Sequence, residues 1–478
     1  MDSYLLENFR RVKVNSVLLD FKYRRDALYR LNLAYAKMLL EVGTINGAEY
    51  KTIVKGLKQV QDAVTEEDVL ASKGDIYFLY ESKLSEAIDP AAANKLHVGR
   101  SRNDMYFTMY RMSLRDAISL VTEEVLKTQA LLHKVAQENT ETVIPYYTYG
   151  QPAQPGTWGH YLATVSELFT GDLKRIRAAF DTVNQSPMGS AAGIGSSFKL
   201  DKYRVAELLG FDGVIENTNI GNSAVDYFLQ TISAFAILNT TLSRVSSDLM
   251  FFSSAECGIL DCDDKLCGHS SIMPQKKNAA AVELLRSQTE HFNGYMANCF
   301  SAASSTTIFP VHETYFFFER FWDNVDRLLE NLKLLRVVIE GSGIREDVAY
   351  LRAYNGFTAA TAMAEQLTHE LNEPFTITHH VVGGMIKELM QNGTLEPQNM
   401  TPDLMRKISK KVLGYEVERS QEEINRMLDP LHSLEAKITG GSPKPSDTEK
   451  LLSKDSAEIE QNVVWLRKQK EKVERLSV

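Results

Sequence analysis

The chain has 478 residues, of which 44% are hydrophobic and 24% are charged, a composition typical of a folded globular protein. Its formal net charge of -9 and pI of about 5.7 exclude nonspecific nucleic-acid binding as a main role, because phosphate backbones select clustered Lys and Arg. No run reaches the roughly 18 apolar residues of a membrane span, and we expect neither a membrane anchor nor a signal peptide.

Cysteine use is sparse, with Cys257, Cys262, Cys267 and Cys299 in the whole chain. Such use favours a reducing compartment over a disulfide scaffold, so we expect a cytoplasmic protein. Three of the four recur every five residues, a spacing that fits neither a zinc knuckle nor one face of a helix. We therefore expect no metal site.

Long stretches without Gly or Pro predict long helices over 100–144, 222–257 and 311–340. Alternating strand patterns are scarce, so the sequence predicts an all-α fold. In the second stretch, apolar residues separated by three or four positions form a stripe typical of bundle packing. This stripe comprises Phe228, Ile232, Phe235, Leu238, Leu242, Val245, Leu249 and Phe252.

The distribution of Gly and Pro residues along the chain predicts three domains. Residues 1–100 form an N-terminal mixed helical domain, 101–355 a central long-helix bundle, and 356–478 a C-terminal domain of shorter helices. Within the last domain, the composition of 440–446 (GGSPKPS) predicts a linker before a charged terminal helix. An open apolar seam on a long bundle favours assembly with further copies of the chain.

The first polar segment, His97–Asp104, gathers two cations, a hydroxyl and an amide around Gly99, just before a long predicted helix. A helix N-terminus flanked by Arg, Ser and Asn donors suits a carboxylate. The alternative is an ordinary helix cap by Ser101 or Asn103, which needs only one of these side chains. The density of donors, Arg102 among them, favours a binding site.

The second polar segment, Thr148–Gly156, contains prolines and glycines that fix a turn. This turn presents the side chains of Thr148 and Gln151. The alternative interpretation is a plain connection between two helices.

The third polar segment, Gly268–Asn278, places hydroxyls, a lysine and an amide in a loop that opens a helix, with Glu283 beyond it. A mobile loop with this composition can close over an anionic substrate and exclude water. The alternative is a solvated basic loop.

The three segments together carry a family resemblance. The third reads SSIMPQKKN and resembles GSSxMPxKxN of the fumarase/aspartase superfamily, in the form found in argininosuccinate lyases. The first reads HVGRSRND and resembles that family's HTGRSRND, and the second reads TYGQPAQP and resembles THLQxAQP. The likeness extends from about residue 15 to about residue 356.

This resemblance implies a fumarase/aspartase-type three-domain fold, whose central helices form a twenty-helix core in a homotetramer. Each active site then takes one polar segment from each of three subunits. The implied activity is a carbon–nitrogen lyase that reversibly eliminates fumarate from an N-substituted succinate. The reaction passes through a dianionic aci-carboxylate and needs no cofactor or metal.

Residue roles follow by motif position. Ser270 is implied to be the base that takes the carbon-bound proton, although a free serine is a poor base. Lys276 is implied to stabilise the aci-carboxylate, and the family's pair of a histidine and a glutamate maps to Tyr149 and Glu283. Substrate binding is implied for Ser101, Arg102, Asn103, Thr148, Gln151, Ser271 and Asn278.

Several positions depart from the family pattern. Tyr149 replaces a histidine, and a free tyrosine titrates near pH 10, which suits a different role in proton transfer. His269 replaces a glycine and could take over proton transfer, and Val225 replaces an arginine.

The segment 310–319 replaces the family sequence that holds the amine half of the substrate. The family's Tyr, Gln and Lys are Pro310, Tyr315 and Phe318 here. Loss of that lysine removes a carboxylate partner, so the natural amine need not be arginine. Glu313 and Glu319 would suit a cationic or diamine group.

Three functions remain open from the sequence. The first is cleavage of argininosuccinate to arginine and fumarate, in arginine biosynthesis. The second is a fumarate-adding lyase that uses another amine in a specialised pathway, as ethylenediamine-disuccinate lyase does. The third is a catalytically silent, crystallin-like homologue, which Tyr149 favours. Intact Ser270, Lys276 and Asn278 favour activity.

Overall fold

A computed structural model describes residues 3–72, 74–289, 291–309, 317–318 and 320–475. The first helices are α1 (Ser3–Glu41), α2 (Gly47–Ala63), α3 (Glu66–Ala71), α4 (Ile76–Ala87) and α5 (Pro90–Lys95). The central helices are α6 (Arg102–Glu138), α7 (Trp158–Val183), α8 (Lys202–Leu208), α9 (Thr218–Ser223), α10 (Asp226–Phe252), α11 (Ala280–Gln288), α12 (His291–Ser304) and α13 (Phe321–Glu340). The last are α14 (Glu346–Asn355), α15 (Ala360–Leu371), α16 (Phe375–Gln391), α17 (Pro402–Leu413), α18 (Gln421–Leu428), α19 (Pro430–Glu435) and α20 (Pro445–Arg475).

The strands are short and form four separate two-stranded pairs in the described ranges. They are β1 (Val143–Thr148), β2 (Gln151–Thr157), β3 (Gln185–Ser186), β4 (Gly213–Val214), β5 (Leu260–Cys262), β6 (Gly268–His269), β7 (Lys277–Asn278) and β8 (Ser342–Ile344). Strands β1 and β2, β5 and β8, and β6 and β7 pair antiparallel, whereas β3 and β4 pair parallel. The all-α fold class is therefore confirmed, and long helices lie in all three predicted stretches, as α6, α10 and α13. The third begins only at Phe321, because residues 317, 318 and 320 form a turn, and residues 311–316 and 319 lie outside the described ranges.

Helix α6 begins where a capping box satisfies its free backbone groups. The Ser101 hydroxyl accepts from the Asn103 N–H, and the Asp104 carboxylate accepts from the Ser101 N–H. The helix then runs for 37 residues, which at 1.5 Å per residue is about 55 Å. Apart from the 39-residue α1, no described helix is longer.

The bundle forms because α7 returns along α6 and α10 then runs parallel to α6. Arg111, near the start of α6, donates to the Thr182 carbonyl at the end of α7. Its guanidinium also lies 3.8 Å above the ring of Tyr227, at the start of α10. At the opposite end, Trp158 of α7 packs edge-on against Phe252 of α10. The predicted stripe of α10 is buried as expected.

A second hydrophobic core lies within residues 363–428 and is made by α15 to α18. The terminal helix α20 does not join this core, and instead packs along α6 and α7. A buried polar cluster fixes it there. The Asp455 carboxylate accepts from the Ser166 and Thr170 hydroxyls, both at 2.6 Å, and lies 2.8 Å from the Nε2 atom of His133. The three-domain division stays a prediction, and the linker residues 445–446 belong to α20.

All four cysteines are free thiols. Among the described helices, none is both long enough and apolar enough to cross a membrane.

Replacement of Asp455 by Ala should lower the free energy of unfolding by about 3–5 kcal/mol, because its buried partners lose their shared acceptor. Burial raises the pKa of the Asp455 carboxyl, but hydrogen bonds from His133, Ser166 and Thr170 outweigh burial and hold that pKa below its ordinary 3.8. Because the pKa of Asp455 is lower in the folded state than in the unfolded state, its carboxylate stabilises the fold at pH values above the unfolded-state pKa. This stabilisation is lost as the pH falls through the folded-state pKa. The difference between wild type and variant should therefore be constant near neutral pH and shrink below about pH 4.

Urea unfolding followed by circular dichroism at several pH values measures this difference. The matched control is Glu458→Ala, on the same helix, because Glu458 makes an exposed ion pair with Lys174. We expect the control to change stability by less than about 1 kcal/mol. Equal losses in the two variants would show that the buried cluster does not fix α20.

Candidate active site

The first polar segment forms the entrance to α6, and its donors already have partners within this chain. The Ser101 hydroxyl serves as the N-cap, so the helix-cap interpretation is correct for this residue. The Arg102 guanidinium donates to the Asp75 carboxylate at 2.7 Å, and half of the Arg102 side chain is exposed. A substrate carboxylate that binds Arg102 must therefore compete with Asp75 or join it.

Asp104 holds a second loop against this segment. Its side chain is fully buried, and its Oδ2 atom accepts from the backbone N–H groups of Gly189 (3.1 Å) and Ala191 (2.9 Å). Burial raises the pKa of the Asp104 carboxyl to about 6, against the opposing effect of these backbone donors. Through Asp104, the glycine-rich loop after β3 is fixed beside Ser101.

The second polar segment is the tip of a β-hairpin and not a plain connection between helices. Thr148 pairs with Gln151, and the two turn residues have positive φ, +54° for Tyr149 and +72° for Gly150. Two positive φ values match the right-handed twist of a two-residue hairpin. The Tyr149 side chain is fully exposed, and Thr148 and Gln151 are exposed beside it.

The third polar segment is a loop closed at its base by the pairing of β6 with β7. The Ser270 hydroxyl oxygen accepts from the backbone N–H of Met273 (3.0 Å) and from that of Ile272 (3.4 Å). The side chains of residues 271–277 are exposed, among them Ser271 and Lys276, and Asn278 is half-buried.

An ion-pair cluster holds the base of this loop. The Lys277 ammonium lies 3.1 Å from the Asp261 carboxylate and 2.9 Å from that of Asp264. These two hydrogen bonds raise the pKa of Lys277 above its ordinary value. The loop therefore has an anchored base and an open, solvated tip.

The second and third segments lie at one end of the bundle. The Tyr147 hydroxyl, in the hairpin, is 3.5 Å from the Sγ atom of Cys257, which follows the end of α10. Tyr149 and Glu283 are both exposed, and no hydrogen bond joins them in the part of the chain that the structure describes.

The first segment lies at the other end of α6. Each hairpin strand has at most seven residues and reaches about 20 Å, so the tip stays at least about 35 Å from the start of α6. One chain thus brings the second and third segments to one end of the bundle and leaves the first at the opposite end.

The position that corresponds to the family's lysine is part of the core. Phe318 is 3% exposed, stacks on Tyr110 with 4.0 Å between ring centroids, and lies under the Arg24 guanidinium at 4.9 Å. Arg24 is itself ion-paired with Asp20 in the interior. Val225 is the N-cap residue of α10 and makes no side-chain cap.

The other calls on this segment, Pro310, Glu313, Tyr315 and Glu319, fall outside the described residues. Within the described ranges, no group of three or more His, Cys, Asp and Glu side chains could hold a metal ion. Sequence reasoning missed the roles of Asp75 and Asp104. Asp104 stands inside the first segment as a candidate cap partner, whereas nothing near Asp75 signals its contact with Arg102.

Comparisons with known proteins agree with this architecture. The family model described as "Lyase" matches residues 8–293. The argininosuccinate lyase of Methanosarcina barkeri is 30% identical over 437 residues, which cover 91% of this chain and 88% of the relative. That of Methanocaldococcus jannaschii is 29% identical and covers 88% of this chain and 86% of the relative. Among solved structures, EDDS lyase in complex with formate superposes with a TM-score of 0.87 at 24% identity, over 97% of this chain and 93% of the other.

Replacement of Asp104 by Ala should release the loop after β3. Hydrogen bonds to charged groups contribute about 1.5–3 kcal/mol, so the N–H groups of Gly189 and Ala191 should exchange with deuterium roughly 10- to 100-fold faster. Hydrogen-exchange mass spectrometry measures this directly. The matched control is Asp201→Ala, which removes the exposed cap of α8 and should leave both amides unchanged. Unchanged exchange in the Asp104 variant would show that this carboxylate does not hold the loop.

Proposed function

The chain belongs to the argininosuccinate lyase family of the fumarase/aspartase superfamily, and from this premise we propose that it reversibly eliminates fumarate from an N-substituted succinate and releases an amine. The observation that carries this proposal is the retention of Ser270, Lys276 and Asn278 in one loop with an anchored base. A silent scaffold has no chemical need for all three side chains.

Ser270 is the proposed base. Elimination removes a proton from the carbon next to a carboxylate, while the carbon–nitrogen bond breaks at the neighbouring carbon. Two backbone N–H groups point at the Ser270 oxygen, and such donors favour its deprotonated form over the neutral hydroxyl. Closure of the loop would strengthen this effect, because exclusion of water increases each electrostatic interaction in the site.

The charge that develops on the substrate needs a fixed cation and fixed donors. Lys276 supplies the cation for the aci-carboxylate, and Asn278 orients it. In the first segment, Ser101, Arg102 and Asn103 stand at the positive end of α6, where a dicarboxylate is favoured. Thr148, Gln151 and Ser271 complete the binding of the succinyl half, and no step requires a metal or a cofactor.

A complete site requires more than one copy of the chain, because α6 keeps the first and second segments at least about 35 Å apart. We infer a homotetramer in which long helices from four copies form the core. The fully exposed Tyr149 and the exposed Ile272 at the loop tip support this arrangement, because a neighbouring copy could bury these large side chains. We also infer that the protein acts in the cytoplasm.

Two substrates are candidates for the amine half. Similarity to argininosuccinate lyases over about 90% of the chain favours argininosuccinate. The burial of Phe318 in an aromatic cluster favours another amine, because a phenyl ring there offers no charge to an amino-acid carboxylate. The second candidate is therefore a lyase that adds fumarate to a different amine or diamine.

Ultraviolet detection of fumarate tests the proposal. We expect the purified protein to release fumarate from argininosuccinate, or else to consume fumarate with one member of a panel of amines and diamines. The variant Ser270→Ala should keep the assembly and lose turnover by roughly 10²-fold or more, because the base is removed. The matched control Ser305→Ala, in an exposed turn, should keep full activity. Absence of turnover with every amine would leave the silent, crystallin-like scaffold.

Complementation between two inactive variants tests the shared site. Ser270→Ala and Arg102→Ala damage different segments, which belong to different copies in the proposed assembly. Mixed oligomers should contain some sites with both segments intact and should regain activity that neither variant has alone. The control mixture combines Ser270→Ala with Lys276→Met, which damage the same loop, and should stay inactive. A mixture of the first pair that stays as inactive as this control would overturn the shared site.

A further inference from the structure

A titratable cluster outside the assigned residues lies behind the first polar segment. His97, the first residue of that segment, has an imidazole whose Nδ1 atom is hydrogen-bonded to the Tyr77 hydroxyl of α4. The same hydroxyl lies 3.1 Å from the Glu81 carboxylate, one helical turn further along α4. Tyr77 is 2% exposed, whereas half of the His97 side chain faces solvent. In this cluster the tyrosine is therefore buried and the imidazole is half exposed.

The protons in this cluster can be assigned from the donors and acceptors. Tyr77 carries one hydroxyl proton, and burial raises its pKa, so the hydroxyl stays protonated. An ionised carboxylate can only accept, so the Tyr77 proton points to Glu81. The hydrogen bond between Tyr77 and His97 is then donated by Nδ1–H of the imidazole. In this tautomer the lone pair is on Nε2, in a side chain that is half exposed.

Burial, together with the Arg100 guanidinium, favours the neutral form of the His97 imidazole. Burial lowers the pKa of His97, the nearby Arg100 guanidinium lowers it further, and Glu81 opposes them. Arg100 is 8% exposed and is held in place by Asn32, at 2.7 Å, and by the rings of Tyr35 and Tyr77. The lowered pKa favours the neutral imidazole, and the Glu81 carboxylate, 3.8 Å from Nδ1, is placed to stabilise the imidazolium.

We propose that His97 is the acid–base residue for the substrate nitrogen, with Tyr77 and Glu81 as its positioning residues. This proposal rests on the proposed function and adds a catalytic group to it. The family's first motif also begins with a histidine, so His97 is retained here while the histidine of the second motif is replaced by Tyr149.

The proton balance is simple. In the addition direction, the amine nitrogen forms a bond to one alkene carbon of fumarate and gives one proton to Nε2 of His97. The other alkene carbon takes one proton from the Ser270 hydroxyl. In elimination the imidazolium returns its proton to the departing nitrogen, while Ser270 takes the carbon-bound proton. No oxidant, reductant or cofactor enters.

The variant His97→Asn separates catalysis from structure. The Asn amide can occupy the place of Nδ1–H and donate to Tyr77, but it has no group that titrates at Nε2. We expect kcat/KM for addition to fall by roughly 10²-fold. In the wild type, kcat/KM should decrease as the pH falls through a pKa below 6.5, because the neutral imidazole is required, and this acid limb should vanish in the variant. The matched control His380→Asn, on an exposed face of α16, should keep the wild-type rate and pH profile.

A second measurement does not depend on turnover. Diethyl pyrocarbonate acylates unprotonated imidazole nitrogens, and peptide mapping by mass spectrometry gives the rate at each histidine. His97 should react at neutral pH, and fumarate at ten times its dissociation constant should slow this reaction by about tenfold while leaving His380 unaffected.

The outcomes separate the proposal from the proposed function. If no amine gives turnover but fumarate still protects His97, the lyase assignment and the acid–base role fail together, and His97 keeps only a position beside bound fumarate. Full activity in His97→Asn, or the absence of any protection of His97 by fumarate, would overturn the role of His97.

Discussion

The structure depends on one constraint, the length of α6. A helix of 37 residues is rigid over about 55 Å, and it separates the first polar segment from the second. Because α7 and α10 pack along it, the third segment is carried to the hairpin end of the bundle. A single chain therefore keeps the first segment apart from the other two, and the shared site that we propose needs the assembly of several chains.

Each half-site combines an anchored base with an exposed edge. The first segment is fixed by the capping box, by buried Asp104 and by the tyrosines that line Arg100, while Arg102 and His97 keep an open face. The third segment is fixed by the Lys277 ion pairs and by β6 and β7, while Ser271 and Lys276 face solvent. In the proposed site, this division would let the exposed groups contact a substrate while the surrounding fold stays intact. Buried hydrogen-bond donors and acceptors hold each segment in position, because hydrogen bonds are stronger in the protein interior than on the surface.

The sequence predicts the long helices because unbroken apolar periodicity and missing Gly and Pro are local signals. It also predicts the candidate residues, since the motifs are contiguous in the chain. The hairpin at Thr148–Gln151 was not predicted, because the turn places a tyrosine at positive φ, which sequence preferences disfavour. Contacts such as Arg102 with Asp75, or Tyr77 with His97, join residues that are distant in sequence. Only tertiary packing determines them. The burial of Phe318 also depends on tertiary packing, because its position in the motif alone predicts a side chain that lines the substrate site.

We propose that one chain holds an incomplete site and that assembly completes it. Sedimentation velocity over a wide range of protein concentration, with fumarate binding measured on the same samples, tests this claim most directly. We expect fumarate to bind with full affinity only to the assembled species, and its affinity to fall as dilution populates smaller species. A monomer that binds fumarate as tightly as the assembly would contradict it.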